Sequence, residues 1–146
     1  MCRGVRSWVC SPLVRVATLN LWGRSGARMD RRAVLVDGFA GLRPDVVGLQ
    51  EVIHTDDYDE AADVLGEDFE IAHQTLGLLS DGNSAAIASR FPIAALHEVD
   101  LQLTPRTRDF PAITLIAELD APAPVGPLLF VNHLPSWKPE PERVSC

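Results

Sequence analysis

The chain reads first as short apolar runs separated by turn residues. Residues 13–22, Leu-Val-Arg-Val-Ala-Thr-Leu-Asn-Leu-Trp, are apolar and β-branched with little interruption. That is the pattern of a strand buried on both faces. A glycine-flanked loop over 23–26 follows. Residues 29–42 change period: Ala33, Val36, Phe39 and Ala40 recur at helical spacing, Asp30 is placed to cap the start, and Gly41 and Pro44 are placed to stop it. Val46-Val47-Gly48-Leu49 opens a second buried strand over 45–52. Strand, helix, strand with short joints predicts a βαβ unit and an α/β fold.

Further along, the pattern predicts a short acidic helix over 56–65, ended by Gly66. Strands are expected over 69–75, 83–89, 93–103, 111–119 and 128–132. Residues 104–109 read as a charged turn, and 121–127 as a proline-rich turn too short for a domain linker. Residues 135–146 read as a loop leading to a helix that does not develop. A chain of 146 residues fits one domain.

Composition narrows the class. Apolar residues at 47% and charged residues at 23% exclude a disordered tail, a collagen-like repeat and a disulfide scaffold. No apolar run approaches the ~18 residues of a membrane span, so no integral membrane segment is expected. Cys2, Cys10 and Cys146 sit at the chain ends without metal-site spacing, which favours a reducing compartment. Residues 1–12 lack the apolar stretch of a secretory signal and are expected to be a disordered leader; a cytoplasmic location follows as the expectation.

Charge is unevenly placed. The net charge is −7, yet residues 1–45 carry eight arginines against three aspartates, and residues 46–104 carry one arginine against twelve acids. The acidic middle argues against broad, charge-driven nucleic-acid binding. It leaves room for a phosphate ester held through a bound metal, because the cation reverses the local sign.

Polar residues at the ends of buried strands are the places to look for chemistry, since ligands of open α/β sheets sit there. Asn20, Glu51 and the pair Asn132-His133 each follow an apolar run. Each also has an ordinary alternative: a turn-starting Asn, an exposed helix-start Glu, a solvated His. Trp22 and Trp137 read as packing residues. Nothing near His54, His73 or His97 converges with them in sequence. No P-loop, dinucleotide fingerprint, nucleophile elbow or HExxH pattern occurs.

Four blocks taken in order say more than any one. Val-Ala-Thr-Leu-Asn-Leu-Trp-Gly (16–23), Arg-Pro-Asp-Val-Val-Gly-Leu-Gln-Glu-Val (43–52), Gly-Asn-Ser-Ala-Ala-Ile-Ala-Ser-Arg-Phe-Pro-Ile (82–93) and Leu-Phe-Val-Asn-His-Leu-Pro-Ser-Trp (129–137) resemble the endonuclease/exonuclease/phosphatase superfamily of metal-dependent phosphodiesterases. The resemblance implies a four-layered αββα sandwich, α/β (α+β) in class, with mixed sheets flanked by helices. It implies that Glu51 is a ligand of Mg²⁺, or of Mn²⁺ in its place, and that Asn20 lies near the metal and the scissile phosphate. It implies that His133 stabilises or protonates phosphate oxygens. Gly82, Asn83, Ser89, Arg90 and Pro92 match a block taken as structural. The implied substrate is a phosphoester: a small one, a lipid head group or a nucleic acid.

The family's later Gly-Asp-x-Asn and Ser-Asp-His blocks do not occur in these 146 residues. Residues 13–146 therefore resemble the N-terminal half of that domain, with a C-terminal half needed for a complete site. A truncated reading frame is the expected explanation, and the chain alone is expected to be poorly stable and inactive or nearly so. The competing reading is a non-catalytic binding module, or a decayed remnant of such an enzyme. Monodisperse, cooperative folding would favour the module.

Overall fold

In the computed structural model of the chain, residues 13–102 and 112–135 are described. The expected leader over 1–12, the charged turn over 104–109 and the final stretch from 136 lie outside them. The elements run β1 (Val16–Asn20), α1 (Arg28–Leu42), β2 (Val46–Thr55), β3 (Tyr58–Asp59), α2 (Glu60–Leu65), β4 (Glu70–His73), β5 (Asn83–Ser89), β6 (Ile93–Asp100), β7 (Ile113–Leu119) and β8 (Leu128–Leu134).

The βαβ unit forms as its pattern requires, with β1 parallel to β2 in the register Val16↔Val46 to Asn20↔Gln50. β2 pairs antiparallel with β5, and β5 with β4, giving the mixed order β1-β2-β5-β4; β3 adds to the far end of β2. A second, antiparallel sheet has the order β6-β7-β8. Two apolar clusters hold these layers. Phe39, Ala61 and Val64 of the helices pack on Val47, Leu49, Val52, Ala86 and Ala88 of the first sheet. Ala85 and Ile87, on the other face of β5, pack on Ile113, Leu115, Ala117 and Leu134 of the second sheet. The described residues thus form the α, β and β layers of an αββα arrangement. β5 is buried on both sides, and its alanines allow close approach of both layers.

Several expectations shift. β1 is not buried on both faces: Val16 is 57% exposed and Leu19 is also exposed, because among the described residues β1 pairs only with β2. Asp30 does not cap α1; the cap position is Ala27, with no side-chain bond, and Asp30 lies inside the first turn. Gly41 does not stop the helix. It ends where Arg43 turns left-handed (φ 49°), its N–H donating to the Phe39 carbonyl. On α1, Phe39 is buried but Ala33 and Ala40 are exposed. The expected helix over 56–65 begins with a hairpin, and α2 starts after Asp59, whose Oδ1 accepts from the N–H groups of Ala61 and Ala62. β8 runs past 132 to Leu134 and so takes His133 into the strand.

One polar side chain bridges the sheets. Asn132 of β8 is 3% exposed. Its Nδ2 donates to the carbonyls of Leu49 (2.8 Å) and Ala86 (3.0 Å), one on β2 and one on β5. Its Oδ1 accepts from Gln50 Nε2, which also reaches Thr18 Oγ1 at 3.0 Å. Gly48 makes the approach feasible, since a Cβ there would stand 3.1 Å from Asn132 Oδ1. Truncating Asn132 takes one of its acceptors from Gln50 and removes two bonds from buried carbonyls. Asn132→Ala is expected to lower stability by about 1–3 kcal/mol, read from urea unfolding midpoints. A shift within error of wild type would show that the bridge contributes nothing.

Candidate active site

β2 carries a bulge where the chemistry was expected. Gln50 pairs with Ala85 and Val52 with Ser84, which leaves Glu51 as an extra residue opposite nothing. Glu51 sits at φ 51°, a left-handed conformation that costs a side-chain-bearing residue about 1–2 kcal/mol. The extra residue resets the alternation, so Val52 joins Val47 and Leu49 on the helix-facing side. It also takes Glu51 out of the ladder. Its Oε1 accepts from Asn20 Nδ2 at 2.8 Å, and its carbonyl accepts from the N–H of Gly23 at 2.9 Å.

The exit from β1 is shaped around this bulge. Asn20 Oδ1 accepts from the N–H of Trp22 at 2.7 Å, and the N–H of Leu21 donates to the Gln50 carbonyl at 2.7 Å. Trp22 (φ 61°) and Gly23 (φ 49°) are left-handed in succession. Two non-glycine residues in that region, on touching segments, mark a place where surrounding contacts hold strain in place. The Asn83 amide lies against Gly23, and its Oδ1 is buried with no hydrogen-bond partner. Asn83, which the sequence block marks as structural, thus lies beside the bulge.

The structure therefore joins Asn20 to Glu51, the two residues expected near the metal. His133 is not bonded to either of them. Buried positions alternate along the end of β8, with Asn132 and Leu134 facing the core and His133 exposed. His133 Nδ1 shares a hydrogen bond with Thr114 Oγ1 at 2.7 Å, and among the described residues no hydrogen bond or ion pair links it to Asn20 or Glu51. Glu51 offers the hard oxygen that Mg²⁺ takes, and Mg²⁺ tolerates a single carboxylate because it keeps several waters. Among the described residues, however, Glu51 belongs to no cluster of three ligand side chains.

A second group of polar residues converges where sequence showed no convergence. His54 and His73 stack with ring centroids 3.8 Å apart and planes 8° from parallel. His73 Nε2 donates to Asp59 Oδ2 at 2.9 Å. Burial holds the His73 pKa below its ordinary value; the Asp59 carboxylate pulls the other way, and His54 adds to the lowering.

The fold defines a class, and comparison with known proteins agrees. Residues 17–144 match the model of the Endonuclease/Exonuclease/phosphatase family, and the chain belongs to that family. Among solved structures, an endonuclease/exonuclease/phosphatase family protein from Leptotrichia buccalis matches with a TM-score of 0.65 at 14% identity, over 84% of this chain and 53% of that one. D. rerio TDP2 complexed with single strand DNA product matches with a TM-score of 0.62 at 20% identity, over 81% of this chain and 44% of that one. ANGEL2, a 2',3'-cyclic phosphatase, matches with a TM-score of 0.59 at 15% identity, over 85% of this chain and 41% of that one. The chain thus spans about half the length of the structures it matches. A search of curated proteins gives no match.

Two outcomes follow. At a left-handed position glycine is free of the Cβ penalty, so Glu51→Gly is expected to be more stable than Glu51→Ala by about 1 kcal/mol, compared by thermal or urea unfolding; equal stabilities would show that the bulge is unstrained. A histidine whose folded pKa lies below its unfolded value binds its proton less readily when folded. The stability it contributes is present above pH ~6.5 and is lost as pH falls below that. The wild-type chain should therefore lose more stability between pH 7.5 and 5.5 than His73→Gln does, and parallel curves would remove His73 as the cause.

Proposed function

We propose that this chain supplies the metal-binding part of a Mg²⁺-dependent phosphoester hydrolase site. The observation that carries the reading is the 2.8 Å bond from Asn20 Nδ2 to Glu51 Oε1 at a strained bulge. Glu51 holds the cation, with Mn²⁺ an acceptable substitute. When bound, the ion polarises a phosphoryl oxygen and offsets the charge that builds up during displacement.

The chain's own residues do the positioning. Asn20 fixes one carboxylate oxygen of Glu51 and is itself oriented by the Trp22 N–H, so the carboxylate needs little rearrangement to receive a ligand. His133, with Nδ1 engaged by Thr114, has Nε2 left to meet a phosphate oxygen. The acidic stretch over 46–104 supports small phosphoesters ahead of long nucleic acids. No helix among the described residues is long and apolar enough to cross a membrane. Glu51 belongs to no cluster of three ligand side chains among the described residues, so weak Mg²⁺ binding is expected of this chain by itself.

The test is hydrolysis of bis(p-nitrophenyl) phosphate with Mg²⁺, by the chain alone and by the chain extended with a segment bearing Gly-Asp-x-Asn and Ser-Asp-His blocks. Background rates for the former and Mg²⁺-dependent turnover for the latter are expected. Glu51→Gln in the extended protein should cut the rate by about a hundredfold or more. Undiminished Mg²⁺-dependent turnover in that variant would remove Glu51 from the metal site.

A further inference from the structure

The geometry points to a second cation site, built from His54, Asp59 and His73, that takes a borderline transition-metal ion such as Zn²⁺. It lies outside the Asn20–Glu51 pair and does not rest on the hydrolase reading. His54 follows Glu51 by three strand residues, roughly 10 Å along β2 at ordinary strand rise.

Three elements bring the donors together. His54 on β2 and Asp59 on β3 are direct cross-strand partners in the hairpin, so their side chains emerge side by side. His73 closes the group from the end of β4. One ligand atom from each residue lies within 4.8 Å of the others. Two imidazoles and one carboxylate are the donor set that zinc and its neighbours prefer, whereas Mg²⁺ prefers oxygen alone. The site is also open to solvent on one side, since His54 is exposed while His73 and Asp59 are half-buried.

The local bonding suits an ion. Asp59 is held in place by its Oδ1, which caps α2, so Oδ2 is presented without further ordering. Two ligand atoms each about 2.0–2.2 Å from one tetrahedral zinc stand roughly 3.3–3.6 Å apart, so the 2.9 Å separation of His73 Nε2 and Asp59 Oδ2 has to open by only about half an ångström. The ion would take the place of the proton between them. Ligation at Nε2 moves the ring proton to Nδ1, which is buried and has no hydrogen-bond partner among the described residues. Ring nitrogens bind a metal in the plane of the ring, so the exposed His54 ring must swing out of its parallel stack to complete the set. Burial favours the neutral form of His73, which is the form that binds a metal.

The experiment is a calorimetric titration of the full chain with Zn²⁺, the thiols of Cys2, Cys10 and Cys146 first capped by alkylation so that they do not compete. One equivalent is expected to bind. His54→Ala removes an exposed ring and leaves the fold intact. Asp59→Asn keeps the helix cap while removing the charge. Each should weaken binding about tenfold or more, and Glu51→Gln should leave it unchanged. In the wild-type chain, nitrogen NMR signals of the His54 and His73 rings should move on zinc addition while those of His97 and His133 stay put. Absence of zinc binding, equal affinity in His54→Ala, or ring shifts confined to other histidines would each overturn the site.

Discussion

The amide of Asn132 is the contact on which the arrangement of this fold turns. Two β-sheets packed through Ala85, Ile87, Leu115 and Ala117 share a surface of small and aliphatic side chains, and such a surface resists sliding only weakly. A buried amide bonded to carbonyls on two neighbouring strands admits one register, because a slip of one residue would bury its donors unpaired. Gln50 closes the network by bonding both Asn132 and Thr18, so β1, β2, β5 and β8 are fixed relative to one another at one level. Gly48 is the complement of this bond, since a Cβ there would stand 3.1 Å from the amide oxygen and press it out of place by a few tenths of an ångström.

That fixed level lies next to the bulge. Gln50 is the last regular residue of β2 before Glu51, so the network anchors the strand where its ladder breaks. A left-handed glutamate and a left-handed tryptophan persist only if the flanking backbone cannot relax. Here the Leu21 and Gly23 N–H groups are bonded to the Gln50 and Glu51 carbonyls, and relaxation would forfeit both. The strain and the anchoring therefore belong together. The core sets the geometry of a carboxylate that projects out of the sheet.

How much of this was legible in the sequence follows from how local each feature is. The βαβ unit and the strand over 83–89 rest on periodicity and turn residues within a few positions, and they form; the strand expected over 93–103 forms over Ile93–Asp100. Asn20 and Glu51 were found because each ends an apolar run, and strand ends are where α/β sheets bind ligands. The bulge was not legible, since an extra residue shows only against a partner strand. The grouping of His54 with His73 was hidden for the same reason. They are brought together by a hairpin and a neighbouring strand, and in sequence each histidine stands alone. Asn132 looked like the partner of His133, whereas the alternation of β8 sends one into the core and the other to solvent.

The one strand whose burial was misread is informative in its own right. The pattern of residues 13–22 is that of a strand covered on both faces, yet Val16 and Leu19 are exposed on β1, as are Leu129 and Val131 on β8. Propensity alone does not explain it, because exposed edge strands are ordinarily blunted by charge, proline or a bulge. β1 has none of these between Val16 and Asn20. Its sequence is written for more contact than the described residues supply. The matched structures are about twice as long as this chain and share its fold over more than four-fifths of it. The edge of β1 and the outer face of β8 are where apolar side chains of the described strands stay exposed. They adjoin the two segments that carry Asn20 and His133, so whatever covers them also changes the solvent around the site.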